Sequence, residues 1–258
     1  IPFITYTEME NNQLHLYTTL KELDADRAFL SLFAPTSVRA AIQTLDLWNA
    51  EISRIREEVR EPHMGMIRLQ WWQDEIRRIC EGGRSDVHPV LTLLSDVIPE
   101  HQLAYADFDT ILSARELEFL GRSPENIEEL LSYVDGKQGT LMKMKCDILG
   151  CVQNGDADLA RFYSLAGLVR AVPFHGSFGH VMMPSLNMSD IQPHSEKLQN
   201  IVRQLCDVRL PEKPQHKYLK ATYALVRLYL TQIKNAEFDP FHIRPVPFKE
   251  LRVWIGAF

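Results

Sequence analysis

Hydrophobic positions in this chain recur mostly at steps of three and four residues, which is the spacing of one helix face. The clearest stripe runs from Leu45 through Trp48, Ile52 and Ile55 to Val59. Alternation of apolar and polar residues, which marks a half-buried strand, is weak along the whole sequence. The pattern therefore predicts an all-α protein.

The periodic segments and their boundaries predict the positions of individual helices. These are 14–33, 36–59, 64–81, 87–98, 101–121, 126–153, 156–176, 194–209 and 215–236. The clearest loop is 184–194, which is rich in Pro, Ser and Asn. Because no shift in composition divides the chain, we expect one domain over residues 1–258.

Composition narrows the classes of function. With 45% apolar and 24% charged residues among 258, the chain has the profile of a soluble globular protein. The net charge of −6 argues against a general nucleic-acid partner. No apolar run reaches the roughly 18 residues of a spanning helix, so we expect no transmembrane segment. None of the four cysteines forms a C-x-x-C pair, which favours free thiols over structural zinc.

The stretch 54-RIREEVRE-61 places mixed charge at the end of an apolar-striped helix. Arg54 and Glu58 are four residues apart and can attract each other, whereas Glu57 and Glu61 repel. Such a face is usually a solvated surface. The alternative is that it stands where another protein would hold a metal ion.

Other chemical signals are few. The sequence contains no glycine-rich phosphate cradle, no H-E-x-x-H and no G-x-S-x-G. His175 and His180 are five residues apart, a poor spacing for metal ligands. The adjacent Trp71 and Trp72 are interpreted as core packing. The residues alone therefore indicate a helical protein without a visible catalytic set.

A wider pattern resembles the squalene/phytoene synthase family. The segment 26-DRAFLSLFAPTSVRAAIQTLDLWNAEISRIREEVREPHMGMIRLQWWQDEI-76 carries its first part. The matching positions are Pro35, Arg39, Gly65, Arg68, Leu69, Trp71 and Trp72. Downstream, 115-RELEF-119 is similar to the acidic helix of the family, with Glu118 in place of its usual Asp. Tyr133 and Gly139 fall where the family has a Tyr and a Gly, and 166-AGLVRAVPFHGSFGHVMMP-184 resembles its second acidic region, closing on Gly179, Val181 and Pro184.

The resemblance covers about residues 15–235 and implies a fold and an activity. The fold is a single-domain isoprenoid-synthase-type helical bundle around a central apolar cavity. Active members condense two isoprenyl diphosphates head to head. They hold Mg²⁺ with aspartate-rich motifs on two facing helices, because the ion must neutralise the diphosphate as it leaves.

Both motifs are replaced here, as the resemblance aligns them. Where the family has D-D-x-x-D, this chain has 53-SRIRE-57, which keeps only Glu57 as a carboxylate. The family's N-I-L-R-D-x-x-E-D corresponds to 167-GLVRAVPFH-175, in which Arg170 alone survives. We expect no bound metal and no catalytic residues. The charges at 54–61 would then form a buried network, paired internally or with Arg170 and His175.

The first replaced motif is similar to a degenerate branch of the family that includes a mitochondrial assembly factor of respiratory complex I. The matching positions are Asn49, Glu51, Ile52, Ile55 and Arg56. This similarity implies a non-catalytic lipid-cavity protein or an assembly factor, with an isoprenoid or other lipid as ligand and a protein partner in membrane-complex assembly. The implied location is the cytoplasm, peripheral to a membrane, or the mitochondrial matrix of a eukaryote.

Two alternatives stay open. One is an active prenyl transferase that uses Mg²⁺, and the other is an interaction module whose cavity is plugged by Trp48 and Phe174. For the first two hypotheses the predicted ligand contacts are Arg39, Glu51, Arg54, Glu57, Arg68, Glu118, Tyr133, Arg170 and His175. The arginines are included because the planar guanidinium suits phosphate oxygens.

Overall fold

A computed structural model describes residues 6–59, 61–120, 122–151, 155–177 and 182–258. Its α-helices are α1 (Tyr6–Leu23), α2 (Ala25–Ser31), α3 (Thr36–Glu58), α4 (Pro62–Cys80), α5 (Pro89–His101), α6 (Tyr105–Arg115), α7 (Ile127–Val134), α8 (Thr140–Leu149), α9 (Asp156–Ser177), α10 (Glu196–Cys206), α11 (Lys217–Asn235) and α12 (Lys249–Ala257). Short 3-10 helices span Glu116–Phe119, Met188–Asp190 and Pro240–His242, and a π-helical turn spans Asp135–Gly139. No strand occurs in these ranges, so the predicted all-α class is confirmed.

The prediction of one helix over 14–33 is wrong, because Asp24 divides the segment into α1 and α2. The Asp24 carboxylate accepts the backbone N–H of Arg27 at 2.9 Å and caps α2. A capping carboxylate satisfies one of the N–H groups that a helix start leaves without an internal partner. Hydrophobic spacing continues across this cap and therefore did not reveal the break.

Two other predicted helices contain local changes of geometry. The predicted start of the 101–121 helix is wrong, because His101 ends α5 and α6 begins at Tyr105. A 3-10 turn follows α6, and the expected end at Gly121 lies outside the described residues. The predicted 126–153 helix is α7, the π-helical turn and α8 in succession. Its last two residues also lie outside the described ranges.

The chain forms two compact units, of which unit 1 comprises Ile1–Leu112 and Met144–Cys151. In this unit α3 packs against α1, α2, α4 and α5. The predicted stripe is confirmed for Leu45, Trp48, Ile52 and Ile55, which are all buried, whereas Val59 is half-buried and follows the last residue of α3. Trp48 meets Phe108 edge to face, with ring centroids 5.0 Å apart. Each large apolar side chain buried in this way stabilises the unit by about 1.5–3 kcal/mol.

The two adjacent tryptophans of α4 differ in burial. Trp72 is 5% exposed and lies in the core, whereas Trp71 is 38% exposed. Neighbouring residues on a helix point about 100° apart, so one apolar face cannot take both rings. The interpretation of both tryptophans as core residues is therefore right for Trp72 and wrong for Trp71.

Unit 2 comprises Ser113–Lys143 and Val152–Phe258. Here α9 packs against α7, α10 and α11, and α11 packs against α12. Gly256 allows the close approach of α12, because a β-carbon at this position would lie 2.8 Å from Cβ of Ala224. The sequence did not predict α12, which carries exposed apolar residues such as Trp254 and Ile255.

Some expectations concern the whole chain. Cys146, Cys151 and Cys206 are buried and Cys80 is half-buried, and none of the four forms a disulfide. Within the described residues, no helix is both long enough and apolar enough to cross a bilayer. The expectation of one domain over residues 1–258 stays a prediction.

Candidate functional site

The carboxylate at the end of α3 lies between two arginines. Glu58 Oε1 is 2.9 Å from Nη2 of Arg54, and Glu58 Oε2 is 2.9 Å from Nη1 of Arg68 on α4. These three side chains, here called the surface cluster, are all about half exposed. The expected pairing of Arg54 with Glu58 is confirmed. The hypothesis that charges in this segment form a buried network is wrong, since Glu57, Glu58 and Glu61 are exposed.

The α3 residues do not fit a Mg²⁺ site. Both oxygens of Glu58 already contact guanidinium groups, so a Mg²⁺ ion would have to displace two cations. Ser53 carries no charge, and its hydroxyl donates to the backbone oxygen of Asn49 at 2.6 Å. Mg²⁺ needs oxygen ligands in near-octahedral order, and Glu51 and the exposed Glu57 are the remaining carboxylates on this part of the helix.

The α9 residues fit Mg²⁺ no better. From Leu159 to Ser177 this helix contains neither Asp nor Glu. Arg170 places its guanidinium carbon 3.7 Å from the ring centroid of Tyr229, a cation–π contact within unit 2. His175 lies beside Phe174, with ring centroids 5.7 Å apart. The positions Gly179, His180 and Val181 lie outside the described residues.

Two predicted site residues, Glu118 and Tyr133, are brought together in unit 2. The buried Tyr133 hydroxyl donates to Glu118 Oε1 at 2.6 Å. Arg115 Nη1 donates to the same oxygen at 3.0 Å, and Lys137 Nζ donates to the tyrosine oxygen at 2.5 Å. These four residues form a buried polar group, here called the tyrosine cluster.

Burial raises the pKa of Tyr133 well above its ordinary value, and the negative charge of Glu118 raises it further. The phenol therefore keeps its proton and acts as a hydrogen-bond donor at neutral pH. Sequence reasoning missed Arg115 and Lys137, although Arg115 stands three residues before Glu118 and Lys137 four after Tyr133. Those spacings place side chains on one helical face and were a usable signal.

Arg39 and Glu51 are not part of either cluster. Arg39 Nη2 donates to the backbone oxygens of Leu32 at 3.3 Å and Ala34 at 3.0 Å. The Arg39 guanidinium therefore donates hydrogen bonds to backbone carbonyl groups just after α2, which is a structural role. Glu51 is half-buried on α3. Ligand contact at both residues stays a prediction.

Unit 1 also contains a buried ion-pair group that the sequence did not reveal. Asp46 Oδ1 on α3 accepts from Arg27 Nη1 at 2.8 Å and from Lys145 Nζ on α8. All three side chains, here called the buried cluster, are almost inaccessible to solvent. Burial lowers the pKa of Lys145 to about 8, although the neighbouring Asp46 carboxylate opposes the shift.

The family can now be assigned. The family model for squalene/phytoene synthase matches residues 20–252. The chain therefore belongs to the squalene/phytoene synthase family, as the spaced motifs indicated. Among solved structures it is similar to the squalene synthase HpnC from Alicyclobacillus acidocaldarius, with a TM-score of 0.71 and 16% identity over 92% of this chain and 98% of the other.

A dehydrosqualene synthase gives a TM-score of 0.70 and 12% identity over 98% of this chain and 97% of the other. At these identities the two structures establish the fold alone. Among sequences, the chain is similar to "NADH dehydrogenase (ubiquinone) complex I, assembly factor 6" of Bos taurus. The two are 23% identical over 86% of this chain and 74% of the bovine protein.

Proposed function

We propose that this chain is a non-catalytic member of the squalene/phytoene synthase family that acts as an assembly factor for respiratory complex I. Two observations support the proposal. Glu58 at the end of α3 is paired with two arginines and α9 carries no Asp or Glu from Leu159 to Ser177. The similarity to the bovine assembly factor extends over 86% of the chain. The first observation supports the proposed absence of catalysis, and the second supports the proposed cellular role.

The loss of catalysis follows from the charge of the substrate. A diphosphate leaving group carries several negative charges, which bound metal ions neutralise as the allylic bond breaks. In this chain Glu58 is already neutralised by Arg54 and Arg68, and α9 has no carboxylate after Asp158. With Glu51 and Glu57 as the remaining carboxylates on this part of α3, we expect the leaving group to lack an electrostatic partner of the required strength.

An activity assay tests this part of the proposal. Purified protein is incubated with Mg²⁺ and farnesyl or geranylgeranyl diphosphate, and an active dehydrosqualene synthase serves as the positive control. We expect no hydrocarbon or cyclopropyl diphosphate product above the protein-free background. Formation of a squalene- or phytoene-type product would establish the alternative, an active prenyl transferase.

The assembly role has a separate test in cells. Deleting the gene is expected to lower the amount of assembled complex I on native gels, and the wild-type chain should restore it. A variant with Glu57→Gln and Glu58→Gln lacks the two carboxylates at the C-terminal end of α3 and should restore assembly equally well if metal-dependent chemistry at this end has no part. Normal assembly in the deletion strain would refute the role.

In the proposed role the fold holds an isoprenoid or other lipid without turning it over. It works where complex I is assembled, which is the matrix side of the inner membrane in a eukaryote. Mass spectrometry of the protein released from its native membrane fraction tests the ligand. A stoichiometric lipid supports the lipid-cavity function, whereas a lipid-free protein favours an interaction module with a filled cavity.

A further inference from the structure

Three potential metal ligands that belong to none of the family motifs meet in unit 2. Asp239 follows α11 and caps the 3-10 helix Pro240–His242, so His242 lies one turn further on. His194 comes from the loop before α10, 45 residues away in sequence from Asp239. One ligand atom from each of the three lies within 4.8 Å of the others. Here they are called the His–Asp cluster.

The distances are close to those of a tetrahedral metal site. His242 Nδ1 lies 2.9 Å and His194 Nδ1 lies 3.9 Å from the same oxygen of Asp239, Oδ2. Metal–ligand bonds of about 2.0–2.1 Å in tetrahedral order separate neighbouring donor atoms by about 3.3 Å. The two observed distances lie on either side of that value, so small movements of exposed imidazole rings would close the site.

The carboxylate of Asp239 is held in place by hydrogen bonds from neighbouring groups. Asp239 is 3% exposed and accepts the backbone N–H of Phe241 at Oδ1, 3.0 Å away. The backbone N–H of His194 and the amide of Gln199 donate to Oδ2 at 2.8 and 3.4 Å. Such second contacts orient a ligating carboxylate before any ion arrives. The Asp239 carboxylate is therefore fixed, while the two imidazoles remain accessible.

The donor set indicates which ion would bind. Two imidazole nitrogens and one carboxylate oxygen suit Zn²⁺ and related divalent transition metals, whereas Mg²⁺ and Ca²⁺ prefer oxygen alone. In sites with three protein ligands the fourth position takes water or an exogenous group. On binding, the metal would replace the proton that joins His242 Nδ1 to Asp239, and the neutral imidazole would carry its proton on Nε2 instead.

The surroundings of the cluster indicate the fourth ligand. All three residues line a cleft of about 910 Å³, whose wall also carries Arg227, Arg244 and Arg252. Guanidinium groups bind phosphate and carboxylate oxygens through paired N–H donors. A cleft with three arginines beside a cation site is therefore suited to an anion that binds the metal and the arginines together.

We propose that His194, Asp239 and His242 bind a divalent transition metal of the zinc class, whose open position takes an anionic ligand from the arginine-lined cleft. This site is independent of the proposed assembly role, because it uses none of the family motif residues. The assays of prenyl transfer and of complex I assembly are therefore interpreted in the same way whether or not the protein binds a metal ion here.

Calorimetric titration of untagged protein with ZnCl₂ tests the metal site. We expect one ion per chain, with affinity reduced more than about tenfold in His194→Ala and in His242→Ala, since each removes a direct ligand. The two rings are 78% and 48% exposed, so both variants should fold normally, which circular dichroism checks. His63→Ala, an exposed histidine of α4, is the matched control and should bind as the wild type does.

Two results would overturn the metal site. One is a wild-type protein that does not bind Zn²⁺ at micromolar concentrations. The other is binding that H194A and H242A leave as strong as H63A leaves it, which would place the ion elsewhere, for example at a cysteine.

Cobalt substitution tests the fourth position. Visible absorption of the Co²⁺ protein should show a four-coordinate site, and inorganic phosphate should change this spectrum in the wild type. In Arg227→Ala and Arg244→Ala the phosphate concentration needed for half the change should rise severalfold. A Co²⁺ spectrum that does not respond to phosphate, or responds equally in the arginine variants, would refute the anionic ligand.

Discussion

Two carboxylates on helix α3 have the same kind of partners and opposite environments. Asp46 lies between Arg27 and Lys145 with no solvent access, and Glu58 lies between Arg54 and Arg68 with 43% of its side chain exposed. In both places one negative charge contacts two positive ones. Water screens the second set but not the first, so the same arrangement has very different energetic consequences.

The two charged clusters also have different places in the fold. The buried cluster ties α3 to α2 and α8 and is a part of the core of unit 1. The surface cluster lies at the helix end where the family resemblance places metal ligands, and its carboxylate, Glu58, is the neighbour of Glu57, which the resemblance aligns with the motif. The first cluster is buried and the second is exposed.

The largest effect is expected for Asp46→Asn. The substitution preserves shape but removes the carboxylate that the buried cations Arg27 and Lys145 share, although Arg27 keeps its contact with Asp24 at 3.0 Å. This loss should lower the free energy of unfolding by about 3–5 kcal/mol. Urea denaturation followed by circular dichroism measures the change. If the variant is insoluble, its soluble fraction is compared with that of Glu58→Gln, the matched substitution on the exposed side. If Asp46→Asn lowered the free energy of unfolding by less than about 1 kcal/mol, the buried cluster would contribute no more than an exposed ion pair.

The second effect is a pH dependence that comes from Lys145. Its pKa in the folded protein is about 8, whereas an ordinary lysine in the unfolded chain has a pKa of about 10.4. Between these values the unfolded chain binds the proton and the folded protein does not, so stability from this group rises with pH, by at most about 1.4 kcal/mol per pH unit. Below pH 8 both states are protonated, and the cost of burying the charge is fully present.

The variant Lys145→Met isolates this contribution, because it removes the titrating amine and keeps the Arg27–Asp46 pair. The unfolding free energy of the wild type, relative to that of the variant, should increase from pH 8 to pH 10. Other titrating groups cancel in that difference. A constant difference would mean that the pKa of the buried amine is not depressed.

The third effect concerns the tyrosine cluster of unit 2. Glu118→Gln removes the charge that accepts from Tyr133 and Arg115, and it should lower stability by about 1.5–3 kcal/mol. Tyr133→Phe should have a smaller effect, and the double variant should lose less than the sum, because both changes remove the same hydrogen bond. Additive losses in this double-mutant cycle would show that the two residues do not interact energetically.

The smallest effect is expected for Glu58→Gln itself. An exposed ion pair contributes about 0.2–1 kcal/mol, and salt screens it. We therefore expect a small loss of stability at low ionic strength that disappears near 1 M NaCl. Glu57→Gln, next to it on the exposed face, is the control and should show no such salt dependence. A loss as large as that of Asp46→Asn would remove the distinction between the two clusters.

Much of the fold could be predicted from local pattern. The predicted 36–59 and 156–176 helices agree with α3 and α9 to within a residue at each end, because apolar periodicity and capping residues act over a few positions. The break at Asp24 and helix α12 were missed. Asp24 caps α2 without interrupting the spacing of apolar residues, so periodicity did not reveal the break. Helix α12 is short and has apolar side chains on its exposed side, so its pattern was not recognised.

The candidate site could be predicted only in part. Family resemblance indicated Glu118 and Tyr133, which the structure brings into contact. It also indicated Arg39, whose guanidinium is used for backbone carbonyls after α2. A motif match identifies a position in the chain, but the groups that surround this position in space decide the role of the side chain.

The sequence by itself determined the helical class, the bounds of helices such as α3 and α9, and the family, since these depend on residues that are near one another or on ordered motifs. Only the tertiary structure decided which charges are buried and which groups meet. Asp46 and Lys145 are 99 residues apart in sequence, and His194 and Asp239 are 45 apart. Contacts over such separations depend on how helices pack, and the free energy of an ion pair depends on the water that this packing excludes.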